Sequence, residues 1–248
     1  MKKYLFLVCY VWIWSSAGYA QSALSDAAAL YDDAKYKEAA ELYRQVGDEY
    51  PASPGVWYNL GNAYYKSGKT GYAIAAYRKA LKLSPMDEDI RYNLDFAVSK
   101  SSDKIEPAPR SFIVRQTDRA ADLFTAGGWA AGTVVCAAAA FMFFLLYIFI
   151  REYRIKKIGL GASALCWVLA FVCLALAAHR YYYALDSYAV VVAKSADVLG
   201  EPTGNGTRLL LLGEGATLKL VKEEGAWIEV QLPDGSKGYV PAEKVQVI

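Results

Sequence analysis

The chain has 248 residues, of which 55% are apolar, and its formal net charge is +2. This length allows one or two domains. Lys2 and Lys3 lie in a leader that we expect to be removed, and the rest of the chain has equal numbers of basic and acidic residues. This balance argues against a nucleic-acid-binding protein, because such a protein presents a basic face to phosphate.

The four cysteines lie outside the polar parts of the chain. Cys9 is in the leader, and Cys136, Cys166 and Cys173 lie in two apolar runs. This placement predicts neither a disulfide framework nor a zinc site. The only histidine, His179, adjoins an apolar run, so no Ser-His-Asp set is expected in the polar parts. The sequence therefore predicts a protein that is not an enzyme and that holds no metal or cofactor.

Residues 1–20 predict a secretory signal peptide. Two lysines precede an apolar stretch, and Gly18 and Ala20 are small residues at the positions that a signal peptidase reads. An uncleaved anchor is the alternative. Under either interpretation, the residues that follow are exported.

Residues 21–100 are polar, have a helical period and contain an internal repeat. Eight positions define it: Trp57, Leu60, Gly61, Tyr64, Ala73, Tyr77, Ala80 and Pro85. The pattern resembles the tetratricopeptide repeat (TPR), a pair of helices of about 34 residues. The same spacing recurs before it at Ala39, Tyr43 and Pro51 and after it at Asn93 and Leu94. We therefore expect two repeats followed by a closing helix over about residues 87–100.

The TPR resemblance implies a concave groove that binds peptides or partner helices. The side chains expected to line it are Tyr58, Asn59, Asn62, Tyr65, Lys66 and Asn93. Asn59 and Asn93 could hydrogen-bond an extended backbone, although both could equally satisfy local helix contacts. One TPR subfamily clamps a C-terminal carboxylate, but Leu24, Ala28 and Asp89 stand where its clamp residues would be needed. We therefore do not expect carboxylate clamping.

Residues 101–126 predict a proline-containing linker followed by a juxtamembrane segment. Pro107 and Pro109 disfavour a regular helix in the first half, whereas the sequence from Ile113 onward is compatible with one.

Two charge-free apolar runs, residues 127–150 and 158–178, predict transmembrane helices. About 21 residues of helix span roughly 30 Å, the thickness of a bilayer's hydrocarbon core. Residues 151–157 between them form a basic hinge, which is expected in the cytoplasm because of Arg151, Arg154, Lys156 and Lys157. Both ends of this hairpin then face the periplasm of a bacterial inner membrane. The alternative is a pair of core helices in a soluble protein.

Residues 186–248 predict short strands separated by glycine-containing turns. Five strands are expected: Ala189–Ala193, Arg208–Leu212, Thr217–Val221, Trp227–Leu232 and Tyr239–Val240. Glu201-Pro202, Gly213-Glu214-Gly215, the Trp227 that follows Gly225, and Gly238-Tyr239-Val240 resemble the cues of a bacterial SH3-like domain. The resemblance implies a small barrel. Trp227 and Tyr239 are expected as part-buried barrel residues or, alternatively, as a binding pair for peptide or glycan.

The predicted fold class is therefore a multi-domain membrane protein. It combines an all-α TPR solenoid, a two-helix transmembrane hairpin and a small all-β SH3-like barrel. This order of parts resembles the BatE-like proteins of the Bacteroides aerotolerance (Bat) operon. The resemblance implies a scaffold in a complex with von Willebrand A-type membrane proteins, with a MoxR-type ATPase as an indirect partner, and a role in oxidative-stress tolerance. An alternative is an envelope-binding module, in which the SH3-like domain holds peptidoglycan and the repeats recruit a cell-wall enzyme.

Overall fold

The structure, a computed structural model, describes residues 21–101, 111–204, 206–232 and 235–248, except for the side chains of residues 183–185. The described residues fall into two compact units, one formed by residues 21–101 with 187–248 and the other by residues 111–186. The predicted signal peptide and most of the proline-containing linker lie outside the described residues.

The helical part of the first unit consists of two helix pairs and a closing helix. The helices are α1 (residues 21–32), α2 (Tyr36–Glu49), α3 (Pro54–Lys66), α4 (Thr70–Leu83) and α5 (Glu88–Lys100). Buried side chains recur three and four residues apart, as in Ala73, Tyr77 and Ala80 of α4. This period places one apolar stripe of each helix against its neighbours. The second pair begins with Pro54 in the first turn of α3. The turn between α3 and α4 contains Gly68, whose φ is 81°.

Helices α3 and α4 cross closely at the small residues. A Cβ atom on Gly61 would lie 2.5 Å from the ring of Tyr77, and Ala73 is fully buried. The Trp57 ring packs on Gly47 of α2, and its Nε1–H donates to the carbonyl of Pro51 at 2.9 Å. The residues of the repeat signature thus form the core between the helices.

The rest of the first unit is a seven-stranded antiparallel sheet. Its strands are β1 (Tyr188–Val191), β2 (Ser195–Leu199), β3 (Arg208–Gly213), β4 (Thr217–Glu224), β5 (Trp227–Gln231), β6 (Lys237–Pro241) and β7 (Val245–Val247). Their order in the sheet is β3-β2-β6-β5-β4-β1-β7. The sequence-based expectation of five strands was wrong, because it omitted β2 and β7. Among the described residues the pairings do not join β3 to β7, so they define a sheet rather than a closed barrel.

The helices and the sheet share one interface. The backbone N–H of Gly71, at the start of α4, donates to Oε1 of Glu214 at 2.6 Å, and Ser101 Oγ donates to the carbonyl of Glu214 at 2.6 Å. Val190 of β1 belongs to the helical core, and Ile248 packs against it. The repeats and the sheet therefore fold together although about a third of the chain lies between them.

The second unit contains α6 (Phe112–Asp122), α7 (Ala126–Phe149) and α8 (Tyr153–Leu185). Ser163 Oγ donates to the carbonyl of Ala140 at 2.9 Å, and Gly132 lies against the Cys173 sulfur. Residue 140 lies opposite residue 163 and residue 132 opposite residue 173, so α7 and α8 run antiparallel.

A hydrogen bond and an ion pair join α6 to the far end of α8. His179 Nε2 lies 3.0 Å from Asp118 Oδ1, and Arg180 Nη1 lies 3.4 Å from Asp122 Oδ1. The sequence analysis assigned no partner to the only histidine of the chain, and the structure pairs it with an acidic residue of α6.

Two helices, Ala126–Phe149 and Tyr153–Tyr182, are long and apolar enough to cross a membrane. Their apolar side chains are mostly exposed, as for Phe141 (59%) and Phe171 (73%), which suggests membrane anchoring. The non-helical connection between α7 and α8 is shorter than the expected hinge of residues 151–157. Helix α8 already begins at Tyr153 and contains Arg154, Lys156 and Lys157. Among the four basic residues, only Arg151 lies in the non-helical connection.

Candidate functional site: a tyrosine-rich groove on the repeats

A cavity of about 360 Å³ lies on the repeat helices. Its lining residues are Tyr31, Tyr58, Asn62, Tyr65, Lys66, Tyr77, Tyr92, Asn93 and Phe96. Five of the six groove residues expected from the sequence are among them. The sixth, Asn59, is partly buried on α3 and is not among the described lining residues.

Four polar side chains of this groove form one hydrogen-bond network. Tyr77 Oη donates to Asn62 Oδ1 at 2.7 Å. Asn93 Nδ2 donates to Tyr58 Oη at 2.8 Å and to the same Asn62 oxygen at 3.5 Å. The network joins α3, α4 and α5. Its hydrogen bonds determine the orientation of the Asn62 and Asn93 carboxamides, that is, which end of each is oxygen and which is nitrogen.

Aromatic rings form the rest of the wall. Tyr65 meets Phe96 edge-on at 5.6 Å between ring centroids, and Tyr92 stacks with Phe96 at 6.5 Å. Tyr92 is 71% exposed and Phe96 is 42% exposed, so both present apolar surface to solvent. Tyr31, Tyr92 and Phe96 were not predicted from the sequence as groove residues. The spacing of four residues between Tyr92 and Phe96 is the signal that could have placed the latter two on one face of α5.

Burial sets the electrostatics of the groove floor. Desolvation raises the pKa of Tyr77, and the neighbouring Tyr58, Tyr31 and Tyr65 raise it further. Among the described lining residues, only Lys66 is charged, and it is exposed at the rim. The groove thus offers neutral hydroxyl groups and carboxamides with one positive charge.

A second cavity, of about 260 Å³, lies between the repeats and the C-terminal strand. Its cations already have partners within the protein. Lys79 Nζ sits 3.5 Å from the centre of the Trp57 ring, and Arg44 pairs with Glu41 and Asp48 at 3.1 and 3.2 Å. Burial lowers the pKa of Lys79. These internal contacts make the second cavity a poorer candidate for ligand binding than the groove.

On the sheet, Trp227 and Tyr239 lie on the same face of neighbouring strands. Trp227 pairs with Pro241 and Glu229 pairs with Tyr239, so the two rings are diagonal neighbours. Ile228 and Val230, which alternate with them, face the core. Both rings are half-buried, and Lys237 donates to the Glu229 carboxylate at 2.9 Å on this face.

In the part of the chain that the structure describes, no group of three or more His, Cys, Asp or Glu side chains is arranged to hold a metal ion.

Comparison with known proteins identifies the helices. Residues 61–100 match the family model described as TPR repeat. The N-terminal helical region of this chain is a TPR repeat region. TPR repeats suggest protein-protein interaction, and the match includes α4 and α5, which supply Tyr77, Asn93 and Phe96 to the groove.

Other comparisons add little to the TPR assignment. A search of the curated proteins found no match. Among solved structures, an NlpC/P60 family protein from Bacillus cereus ATCC 10987 is 19% identical, with a TM-score of 0.23. The similarity covers 25% of this chain and 20% of that protein. None of these findings is specific to the Bat operon.

Proposed function

We propose that this protein is a membrane-anchored, non-enzymatic scaffold whose TPR groove binds a protein partner. The observation that carries the proposal is the groove itself. Five side chains that the repeat pattern assigns to partner binding line one open cavity with an aromatic wall. Peptide-binding grooves commonly combine apolar anchors with a few fixed polar groups, as this one does.

The proposed anchor is the pair α7 and α8. The TPR repeats and the sheet form one folded unit, and a bilayer cannot pass through the middle of such a unit. Two membrane crossings between them return the chain to the side from which it started. The predicted signal peptide and the basic residues near the α7–α8 connection favour the periplasm for that side.

The wider context of the scaffold is proposed from the order of its parts. That order resembles the BatE-like proteins and favours a complex with von Willebrand A-type membrane proteins, indirectly linked to a MoxR-type ATPase and to oxidative-stress tolerance. The SH3-like interpretation of the sheet, and its closure into a barrel, belong to the same proposal. The proposal that the protein is not an enzyme rests on the sequence, which places every thiol in the leader or the apolar runs.

Purification of the full chain in mild detergent, with partner retention as the readout, tests the groove. Tyr58→Ala together with Asn62→Ala should remove partners that bind there, because the pair breaks the network and opens the wall. Tyr72→Ala, on α4 and in the second cavity, is the matched control. If the double variant keeps every partner that the unaltered chain retains, the groove is not the binding site.

A second candidate function is an envelope-binding module. The observation that favours it is the placement of Trp227 and Tyr239 on one face of the sheet, where they could hold a glycan or peptide of the cell wall. Binding of the full chain to isolated cell wall tests this function. Tyr239→Ala should release the protein from the cell wall. Val221→Ala, which alters an exposed apolar residue of β4 on the other side of β5, should not. Absence of any retention on cell wall would remove this candidate.

A further inference from the structure

The hydrogen-bonding capacity of the TPR groove is unevenly used. The Asn62 oxygen accepts two hydrogen bonds, from Tyr77 and from Asn93. Both amide hydrogens of Asn93 are also used, because its Nδ2 donates to Asn62 and to Tyr58. The strongest acceptor of the groove floor is therefore occupied from inside the protein.

Among the described lining residues, the remaining groups that can only donate outnumber those that can only accept, while the tyrosine hydroxyls can do either. The hydroxyl of Tyr65 and the amide nitrogen of Asn62 have no partner among the described residues, and Tyr58 uses its oxygen only as an acceptor. Lys66 adds an ammonium group, which can only donate. The described lining residues include no carboxylate, and the Asn93 oxygen is the only carboxamide acceptor that they leave without a partner. A ligand that satisfies this set must bring acceptors and few donors.

The apolar surface of the groove sets a second requirement. The Tyr92 and Phe96 rings stack nearly parallel, with 13° between their planes, and the Tyr65 ring meets Phe96 edge-on. Flat exposed rings of this kind pack against compact, rigid apolar groups. Proline supplies such a group, and a proline-rich segment in the polyproline II conformation loses little entropy on binding.

Proline also matches the donor excess, because it has a carbonyl acceptor but no N–H donor. We propose that the TPR groove binds an extended, proline-rich peptide segment with an acidic residue beside the proline run. Tyr65 and Asn62 donate to backbone carbonyls, the rings of Tyr92 and Phe96 contact the prolines, and Lys66 pairs with the acidic side chain. This inference rests on the proposed function, of which it names the ligand class.

A helical ligand fits this groove less well. The carbonyls of an α-helix accept hydrogen bonds from its own backbone, so the free donors of the groove would stay without partners. A basic peptide would meet Lys66 with like charge and would find no carboxylate in the lining. The chemistry of the groove therefore discriminates between ligand classes that TPR grooves in general admit.

Fluorescence anisotropy with three labelled synthetic peptides tests the inference on the full chain in detergent micelles. The first is a Pro-Ala repeat with a central Glu, the second has Gln in place of that Glu, and the third is an Ala-Leu helix-forming peptide with the same Glu. We expect the first to bind most tightly and the third to bind at least tenfold less well, about 1.4 kcal/mol.

Two substitutions and a matched control locate the contacts. Tyr65→Phe removes one free hydroxyl and leaves the network intact, so it should weaken the first peptide by about fivefold, the usual effect of one hydrogen bond. Lys66→Gln should abolish the difference between the Glu and Gln peptides. Tyr72→Phe removes a hydroxyl outside the groove and should leave all three affinities unchanged.

The outcomes separate the inference from the function on which it rests. If the helical peptide binds and the proline-rich peptide does not, the groove remains a binding site but its ligand class is overturned. If Tyr65→Phe and Lys66→Gln change nothing, the proline-rich peptide does not occupy this groove. If no peptide binds and the Tyr58→Ala/Asn62→Ala double variant retains every partner, the inference and the proposed function both fail.

Discussion

At Gly71 the backbone of α4 touches the backbone of the sheet. A Cβ atom at this position would collide with the carbonyl oxygen of Val191 and lie 2.9 Å from the Cα of Val192. Backbone atoms cannot swing aside as the end of a side chain can, so the interface would have to open. Only glycine lets the N–H of this residue reach the Glu214 carboxylate.

We therefore expect Gly71→Ala to destabilise the first unit by about 1–3 kcal/mol, the range found when well-packed sites are overfilled. Thermal unfolding followed by circular dichroism measures the change. Gly55→Ala is the matched control, since α3 offers open space around that Cβ. The control should be neutral or slightly stabilising because alanine favours the helix. Equal midpoints for the two variants would contradict the close contact at Gly71.

Glu214 acts from the sheet as a cap for α4. Its carboxylate accepts the Gly71 N–H near the positive end of the helix dipole. Glu214→Ala should lower the free energy of unfolding by about 1.5–3 kcal/mol, as expected when a hydrogen bond to a charged group is lost. Urea unfolding measures it, with Glu223→Ala, an exposed position of β4, as the control. A loss no larger than that of the control would show that the cap does not stabilise the interface.

The buried Tyr77 predicts a dependence of stability on alkaline pH. Desolvation raises its pKa above the usual value of 10.0, so the unfolded chain ionises first. The ionisation of Tyr77 therefore does not change the free energy of unfolding below about pH 10. Above that pH it lowers the free energy of unfolding by up to roughly 1.4 kcal/mol per pH unit. In Tyr77→Phe the slope above pH 10 should be smaller by that amount. An unchanged slope in urea unfolding at several pH values would contradict the burial argument.

Among helices α2 to α5, only α5 is capped by the side chain of its own N-cap residue. It closes the TPR region without a partner helix after it, and the Asp87 side chain accepts from the N–H groups of Asp89 and Ile90, both at 3.1 Å. Tyr92, Asn93 and Phe96 reach the groove only if this helix is formed. The cap therefore supports the binding site as well as the helix.

Asp87→Ala should cost about 1 kcal/mol of stability and increase hydrogen exchange in α5. Ser53→Ala is the control, because Ser53 occupies the equivalent position of α3 but makes no side-chain capping hydrogen bond. Exchange measured by mass spectrometry should rise in residues 88–100 for the first variant alone. The same exchange pattern in both variants would contradict a capping role for Asp87.

Elements with a long sequence pattern could be predicted from the sequence, and elements with a short pattern could not. The TPR signature repeats over whole helices, and α3, α4 and α5 lie where it predicts. By contrast, β7 has three residues, and β2 alternates only Ala196 and Val198 toward the core before a register shift. Patterns of that length are common in loops, so they carried no usable signal.

The same reasoning explains which groove residues could be predicted. The TPR resemblance assigned Tyr58, Asn62, Tyr65 and Lys66 of α3 to the groove, and these side chains line the cavity. Tyr92 and Phe96 were missed because, within α5, the repeat pattern matches only at Asn93 and Leu94. The docking of the sheet on α4 could not be predicted either, since a glycine beside a turn looks the same in sequence whether or not another domain touches it.

At the scale of the whole molecule, the TPR region and the sheet behave as a single folded unit. This makes a prediction for topology that does not depend on the charges near the α7–α8 connection. Single cysteines at Ala52 and Glu223, both exposed, should label together with an impermeant thiol reagent in intact cells. A cysteine at Lys156 should stay unlabelled. The background must lack the native cysteines.

Labelling of only one of Ala52 and Glu223 would contradict the single folded unit or the number of crossings. Labelling at Lys156 alone would invert the hairpin, and the periplasmic location would then be wrong. Disruption of the cells before labelling, which should make all three sites reactive, controls for reagent access.

The hydrogen bond between Gly71 and Glu214 joins residues that are 143 positions apart in the chain. A ribosome adding about 5–20 residues per second needs on the order of ten seconds to make that stretch. During this time the face around Gly71 has no sheet to cover it, and the chain made in this interval contains both apolar helices. Because a single membrane crossing between Gly71 and Glu214 would leave them on opposite sides, formation of this contact requires an even number of crossings. A chain in which only one of the two helices crosses would keep its unpaired face, which chaperones and proteases can recognise.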